Sequence, residues 1–187
     1  MSRSYRTAPE RGTARRRIRR YSDDSIRLPR IIERRPARGD IHPLTRKTLT
    51  DLLPHLPIEY LDGLDRIELR PRAQPNIGRP YGSYWIDERA VILYSLPRCW
   101  HASRLGNSRA LLEFYHATIK PTKTGFQISW PTRALMSLWF YSFVFTHELG
   151  HHFVEQYKRK NRPLRSRRLE ELIADLHSKR LIDRLLA

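Results

Sequence analysis

The longest apolar stretch of the chain runs from Ala134 to Phe145, interrupted only by Ser137 and Ser142. Because it is apolar on nearly every side of a helix, it predicts a helix buried in the core. Thr132 precedes it and is a suitable N-cap residue. The stretch is too short to cross a bilayer, which takes about 20 apolar residues, so we expect no membrane span.

A second helix is predicted near the C-terminus, where leucine and isoleucine recur at helical spacing. The repeating positions are Leu169, Leu172, Ile173 and Leu176. They indicate an amphipathic helix. Glu171 and Asp175 are four residues apart and therefore lie together on a neighbouring face of that helix.

The middle of the chain alternates between apolar and polar residues and predicts strands joined by turns. The predicted strands are 67–70, 81–86, 91–96, 111–119 and 126–130, the last four forming two hairpins. A short helix is expected within 44–56, and the loops are expected at 71–80 and 97–108. Together these elements predict an α+β fold, in which a small mixed sheet is followed by two helices.

Charge is distributed unevenly over the chain, which has 36 Lys and Arg against 19 Asp and Glu, a formal net charge of +17. Residues 1–39 hold thirteen arginines and four acidic residues, with few apolar positions. Such a segment cannot bury enough apolar surface to fold, so we expect a basic, mostly disordered tail followed by one domain at 40–187. The tail is a candidate for salt-dependent contact with the phosphates of nucleic acid.

The cysteine content and the N-terminal sequence indicate the cellular compartment. Cys99 is the single cysteine, so no disulfide can form within the chain and a reducing compartment is favoured. No apolar segment follows the basic N-terminus as a secretory signal would require. We therefore expect a soluble, cytoplasmic protein.

A candidate metal-binding motif directly follows the apolar helix, in the sequence Thr-His-Glu-Leu-Gly-His-His at 146–152. On a helix, His147 and His151 share one face and are about 6 Å apart along the axis, close enough to bind one Zn²⁺ ion. Glu148 lies about 100° around the helix, where it can act as general base toward a metal-bound water. His152 points elsewhere, and packing or solvation is the expected role for it.

A third ligand must come from another part of the chain, because catalytic zinc usually has three protein ligands and an open position. Glu155 continues the histidine stripe but lies about 12 Å along the helix from His147, which is too far. Glu171 is the better candidate, with the adjacent Glu170 left open as the alternative. Asp175 can accept a hydrogen bond from the rear nitrogen of a ligand histidine.

His-Glu-x-x-His followed on a second helix by Glu-x-x-x-Asp resembles the gluzincin zinc metallopeptidases. The Thr-His-Glu-Leu-Gly-His-His and Glu-x-x-Ala-Asp forms are also similar to small single-domain members, including the ImmA/IrrE-like group. The resemblance implies a zincin-like fold, Zn²⁺ bound by His147, His151 and Glu171, and Glu148 as general base. It also implies that Asp175 supports a ligand and that the substrate is a peptide or protein. A counterpart of the Tyr or His that stabilises the oxyanion in larger members is not evident.

In enzymes of this kind the edge strand of the sheet binds the substrate, and the strand at 126–130 precedes the motif helix most closely. It is therefore one candidate for that edge. His101 and His116 are open as oxyanion donors, while His177 is not expected to be a ligand. The alternative function is a basic, nucleic-acid-associated accessory protein with a structural or vestigial metal site, which the tail and the basic run at 158–168 would favour.

Overall fold

The computed structural model describes residues 27–72, 81–105, 108–160 and 166–186. These residues form a mixed α+β fold with small sheets and several helices, as predicted. The strands are β1 (Arg30–Glu33), β2 (Asp40–Ile41), β3 (Arg66–Arg70), β4 (Gly82–Trp85), β5 (Ala90–Tyr94), β6 (Leu96–Pro97), β7 (Cys99–Ala102), β8 (Thr118–Thr122) and β9 (Gly125–Ser129). The helices are α1 (Arg46–Leu52), α2 (Ser108–Phe114), α3 (Arg133–Trp139), α4 (Thr146–Lys160) and α5 (Arg167–Leu186).

The largest sheet has four strands in the order β1-β3-β5-β4. β1 and β5 pair with β3 in parallel, while β4 and β5 form the predicted antiparallel hairpin across residues 86–89. One face of the sheet is buried through Ile67, Leu69, Val91 and Leu93. β4 ends this sheet, and it is the strand that faces helix α4.

A second sheet has the order β7-β9-β8, so β9 is its central strand. This corrects three predictions. Residues 99–102 form a strand where a loop was expected, and 111–114 lie in α2 where a strand was expected. The first strand of the second predicted hairpin is β8, which pairs with β9 but starts at Thr118 and not at residue 111. The strand at 126–130 is not the edge beside the motif helix, because β7 and β8 flank it on both sides.

Residues 30–33 form β1, although the sequence places them in a disordered tail. β1 is held in the sheet by Arg34, whose backbone N–H donates to the Leu69 carbonyl. The Arg34 side chain also pairs with the buried carboxylate of Glu68. Predictions for residues 1–26 of the tail, for most of the loop at 71–80 and for the basic run at 158–168 fall largely outside the described residues.

The apolar stretch lies in α3 and in a π-helical segment at Phe140–Phe145 that continues directly into α4. Together they form one continuous helical element that crosses the core. The Thr132 hydroxyl accepts a hydrogen bond from Leu135 N–H and caps α3 as predicted. Trp139, Phe140, Phe145 and Leu149 are completely buried. None of the helices in the described ranges has the length and apolar character that a bilayer crossing requires.

Helix α5 lies where the sequence predicts a second helix, but it buries a different side. Ala174, Ser178 and Leu181 are buried, whereas the predicted stripe Leu169, Leu172 and Leu176 is 40%, 55% and 48% exposed. The physical reason is the closeness of α4. A Cβ on Gly150 would lie 2.4 Å from the backbone oxygen of Ala174, so only small residues fit between the two helices.

Candidate metal centre

Helices α4 and α5 bring His147, His151 and Glu171 together. The Nε2 atoms of the two histidines are 3.0 Å apart, and Glu171 Oε2 lies 3.5 Å from His147 Nε2 and 3.3 Å from His151 Nε2. Ligand atoms about 2.1 Å from a tetrahedral zinc ion are roughly 3.4 Å from one another. The three atoms therefore form a triangle of the size that one zinc ion needs.

Asp175 lies behind this triangle. Its Oδ1 is 2.8 Å from His147 Nδ1, and since a carboxylate can only accept, the Nδ1–H of His147 donates to it. The proton on Nδ1 leaves Nε2 with a lone pair directed at His151 and Glu171. The Nε2 atoms of the two histidines face each other, an arrangement in which both could bind one shared cation.

His151 is kept neutral by its surroundings. Burial lowers the pKa of His151, and the nearby His147 lowers it further, while Glu171 opposes both effects. A neutral imidazole can donate its lone pair to a metal ion, whereas a protonated one cannot. The electrostatics of the cluster therefore favour ligation near neutral pH.

The adjacent glutamates of α5 differ in position. Glu171 converges with the two histidines into a group that could hold a metal ion, the one such His, Cys, Asp or Glu group within the described residues. Glu170 lines the same cleft as Glu171 but is not part of that group. Of the two alternatives that the sequence leaves open, the geometry favours Glu171 as the third ligand.

Glu148 lies beside the cluster and is only 7% exposed. Burial raises the pKa of Glu148 to about 8, the negative charge of Glu171 raises it too, and a hydrogen bond from the backbone N–H of Tyr84 opposes the shift. Strand β4 comes this close because Gly82 has no side chain. A Cβ there would lie 2.9 Å from Glu148 Cγ and 2.9 Å from Val144 Cγ1.

The cluster opens into a cleft of about 330 Å³ between β4 and the two helices. Its lining consists of Gly82, Ser83, Tyr84, Ile86, His147, Glu148, His151, Val154, Glu155, Glu170 and Glu171. The side chains that ionise as acids are four glutamates, so a polyanion such as nucleic acid is not suited to enter the cleft.

The other histidines considered from the sequence are not among the residues that line the cleft. His101 is exposed and contacts the Thr122 hydroxyl at 2.9 Å, and His116 is exposed. His177 contacts the Tyr60 hydroxyl at 3.1 Å and lies outside the group of His147, His151 and Glu171. His152 is buried and packs against Tyr84, which agrees with its expected packing role.

The residues that sequence reasoning missed belong to β4. The sequence predicts the strand but does not indicate that it forms one wall of the cleft, which depends on how the sheet is ordered. Gly82 was the available signal, because a glycine within a strand often marks a close backbone approach. No protein-family model, curated protein or solved structure matches the chain, so its resemblance to the gluzincins rests on the motif residues alone.

Proposed function

We propose that this protein is a zinc-dependent metallopeptidase, a hydrolase that cleaves peptide bonds with Glu148 as general base. The observation that carries the proposal is the convergence of His147, His151 and Glu171 beside a buried glutamate at an open cleft. Two imidazoles and one carboxylate with an open position are the usual ligands of catalytic zinc. A purely structural site would be closed by a fourth protein ligand and would have no use for Glu148.

Zinc bound there would polarise a scissile carbonyl and lower the pKa of water to about 7. Glu148 would take a proton from the attacking water as the oxygen of that water adds to the carbonyl carbon. The same carboxyl then gives the proton to the nitrogen as the carbon–nitrogen bond breaks. The pKa of about 8 for Glu148 suits this proton transfer, because a cation bound at the cluster would lower that pKa toward neutral pH.

Strand β4 is suited to hold an extended peptide. Tyr94 N–H donates to the Tyr81 carbonyl, so the alternation of an antiparallel pair directs the peptide groups of Ser83 toward β5. Those of Gly82 and Tyr84 point away from the sheet, toward the cleft. Because the Tyr84 N–H donates to Glu148, a substrate could add to β4 as a further strand through the peptide groups of Gly82 and the carbonyl of Tyr84. Main-chain hydrogen bonds of this kind give affinity with little sequence preference.

The test measures zinc and peptide hydrolysis in the purified full chain. We expect one zinc ion per chain in the wild type and in Glu170→Ala. In Glu171→Ala we expect the zinc affinity to be less than about a tenth of that of the wild type. Glu148→Gln should retain zinc but lose at least about a hundredfold in kcat on a mixed peptide library. A wild type without stoichiometric zinc, or a fully active Glu148→Gln variant, would refute the proposal.

A further inference from the structure

His152, the second of the two adjacent histidines, connects three parts of the fold. It is 1% exposed, its Nε2 lies 2.9 Å from the carbonyl oxygen of Asp62, and its Nδ1 lies 3.0 Å from the hydroxyl of Tyr84. Because a carbonyl only accepts, the Nε2–H donates to Asp62, and the side-chain amide of Gln156 lies 3.0 Å from the same nitrogen. Nδ1 shares a hydrogen bond with the Tyr84 hydroxyl, so the imidazole links helix α4 both to the loop that carries Asp62 and to strand β4.

Tyr84 carries this connection onward to the general base. Its ring packs edge-on against His152 at 5.3 Å, while its backbone N–H donates to the carboxyl of Glu148. The hydroxyl at one end of Tyr84 and the N–H at the other therefore join two residues of α4 that are one helical turn apart. Since Gly82 already lies against Glu148, a small shift of β4 would disturb the hydrogen bond to the base.

We propose that His152 is a positioning residue that acts through Tyr84: it fixes β4 where the Tyr84 N–H orients the Glu148 carboxyl. This inference rests on the proposed function for the role of Glu148. The hydrogen-bonded connection itself does not, and it has a measurable consequence in the protein without substrate. The orientation of a general base affects the chemical step more than the binding of substrate, because the base acts on water.

The first measurement is amide hydrogen exchange at Tyr84, followed by NMR in the full chain. This N–H points away from β5, so its protection depends on Glu148. We expect exchange about tenfold faster in Glu148→Ala and in Tyr84→Phe, which keeps the ring but removes the hydroxyl. The matched control is Tyr60→Phe, because Tyr60 makes a similar contact with His177 that has no connection to Glu148. Unchanged exchange in Tyr84→Phe would overturn the proposal.

The second measurement separates kcat from KM in peptide hydrolysis. Tyr84→Phe should lower kcat about five- to tenfold, with KM within about twofold and zinc content unchanged. His152→Asn places an amide oxygen near the position of Nδ1 and should retain most of the kcat that His152→Ala loses. Equal loss in both variants, or a change in KM alone, would contradict a positioning role.

The two proposals fail in different ways. Absence of hydrolysis by the wild type would refute the peptidase and with it the catalytic role of His152. The exchange rates of Tyr84 would still support or overturn the connection from His152 to Glu148. Hydrolysis that depends on Glu148 but is unaffected by Tyr84→Phe would leave the peptidase standing and overturn the positioning role.

Discussion

Glu148 shows how far the properties of a single residue depend on distant parts of the chain. Its place in the motif is readable from sequence, since it follows His147 and precedes His151 by three positions. Its elevated pKa is not, because the burial that causes it comes from β4, more than sixty residues earlier in the chain. Sequence alone therefore identifies Glu148 as the proposed general base but does not predict the raised pKa of its carboxyl group.

The elevated pKa predicts a pH dependence of stability in the zinc-free protein. The folded pKa of Glu148, about 8, lies above its ordinary value of 4.5, so between these values the native state keeps a proton that the unfolded state has lost. The free energy of unfolding should then fall as the pH rises, by at most about 3 kcal/mol from pH 5.5 to 8. Urea unfolding of wild type and Glu148→Gln with a chelator present measures it.

Other groups also titrate in this range, and the lowered pKa of His151 acts in the opposite direction. The informative quantity is therefore the difference in slope between wild type and Glu148→Gln. Glu155→Gln is the control, because it removes a carboxyl from the same cleft and helix. If Glu148→Gln retained the slope of the wild type, Glu148 would not hold its proton in the folded state.

At the scale of elements, the local sequence pattern predicted helices and a hairpin but not the pairing of strands that are far apart in the sequence. The Thr132 cap, the apolar core helix and the hairpin of β4 and β5 all have local signals, and all are present. The parallel pairing of β1, β3 and β5 joins segments far apart in sequence, and no local pattern encodes it. The same limit left the edge strand beside the site unidentified.

Helix α5 was misjudged for a different reason. Hydrophobic periodicity assigns the buried face to the largest apolar residues, but α5 contacts α4 through Ala174 and Ser178. The Ser178 hydroxyl lies 2.5 Å from that of Thr146, and the Gly150 backbone approaches Ala174. A close contact between helices requires small residues at the interface, so Leu169, Leu172 and Leu176 lie on the exposed side of α5.

Strand β1 is expected to depend on the buried carboxylate of Glu68, which receives hydrogen bonds from Arg70 and Arg34. The hydrogen bond from Arg70 lowers the pKa of Glu68 to about 2, and Arg34 lowers it as well, against the effect of burial. This stabilisation is present above pH 4.5 and is lost as the pH falls toward 2. Glu68→Gln should lower the free energy of unfolding at pH 7 by about 3 kcal/mol.

Urea unfolding at pH 7 and at pH 3 would measure this effect, which should be smaller at the lower pH. Glu88→Gln is the matched control, because Glu88 also pairs with an arginine of β3 but is about half exposed. An exposed pair contributes less than about 1 kcal/mol. Equal effects of the two variants would show that burial of Glu68 does not strengthen its ion pairs.

Gly150→Ala tests the contact between α4 and α5. Replacing an exposed glycine within a helix by alanine stabilises the helix by up to about 1 kcal/mol. Here the new Cβ would meet backbone atoms of Ala174, so we expect a loss of about 1–3 kcal/mol and at least about tenfold weaker zinc binding. Ala174→Gly should not restore either, because the clash is with backbone. A stabilised variant with unchanged zinc affinity would show that the helices are not held this closely.

For the molecule as a whole, the metal centre is expected to hold α5 in place. Two candidate ligands lie on α4 and the third on α5, and α5 contacts α4 through Ala174 and Ser178 while Leu169, Leu172 and Leu176 are exposed. An ion shared between the two helices would add stabilisation to that of their packing. Binding of zinc to the native state alone raises stability by about 2.7 kcal/mol at a hundredfold excess over Kd.

Zinc should therefore raise Tm by roughly 5–10 °C under those conditions, since 1 kcal/mol corresponds to about 2–4 °C at this size. Thermal unfolding at buffered free zinc measures the shift, which Glu171→Ala should abolish. Asp175→Asn should weaken zinc binding about tenfold or more, because it alters the acceptor of His147 Nδ1–H. Asp183→Asn, an exposed change on the same helix, is the control. An equal shift in Glu171→Ala and wild type would mean that zinc stabilises the protein from another site, and α5 would then be held by packing alone.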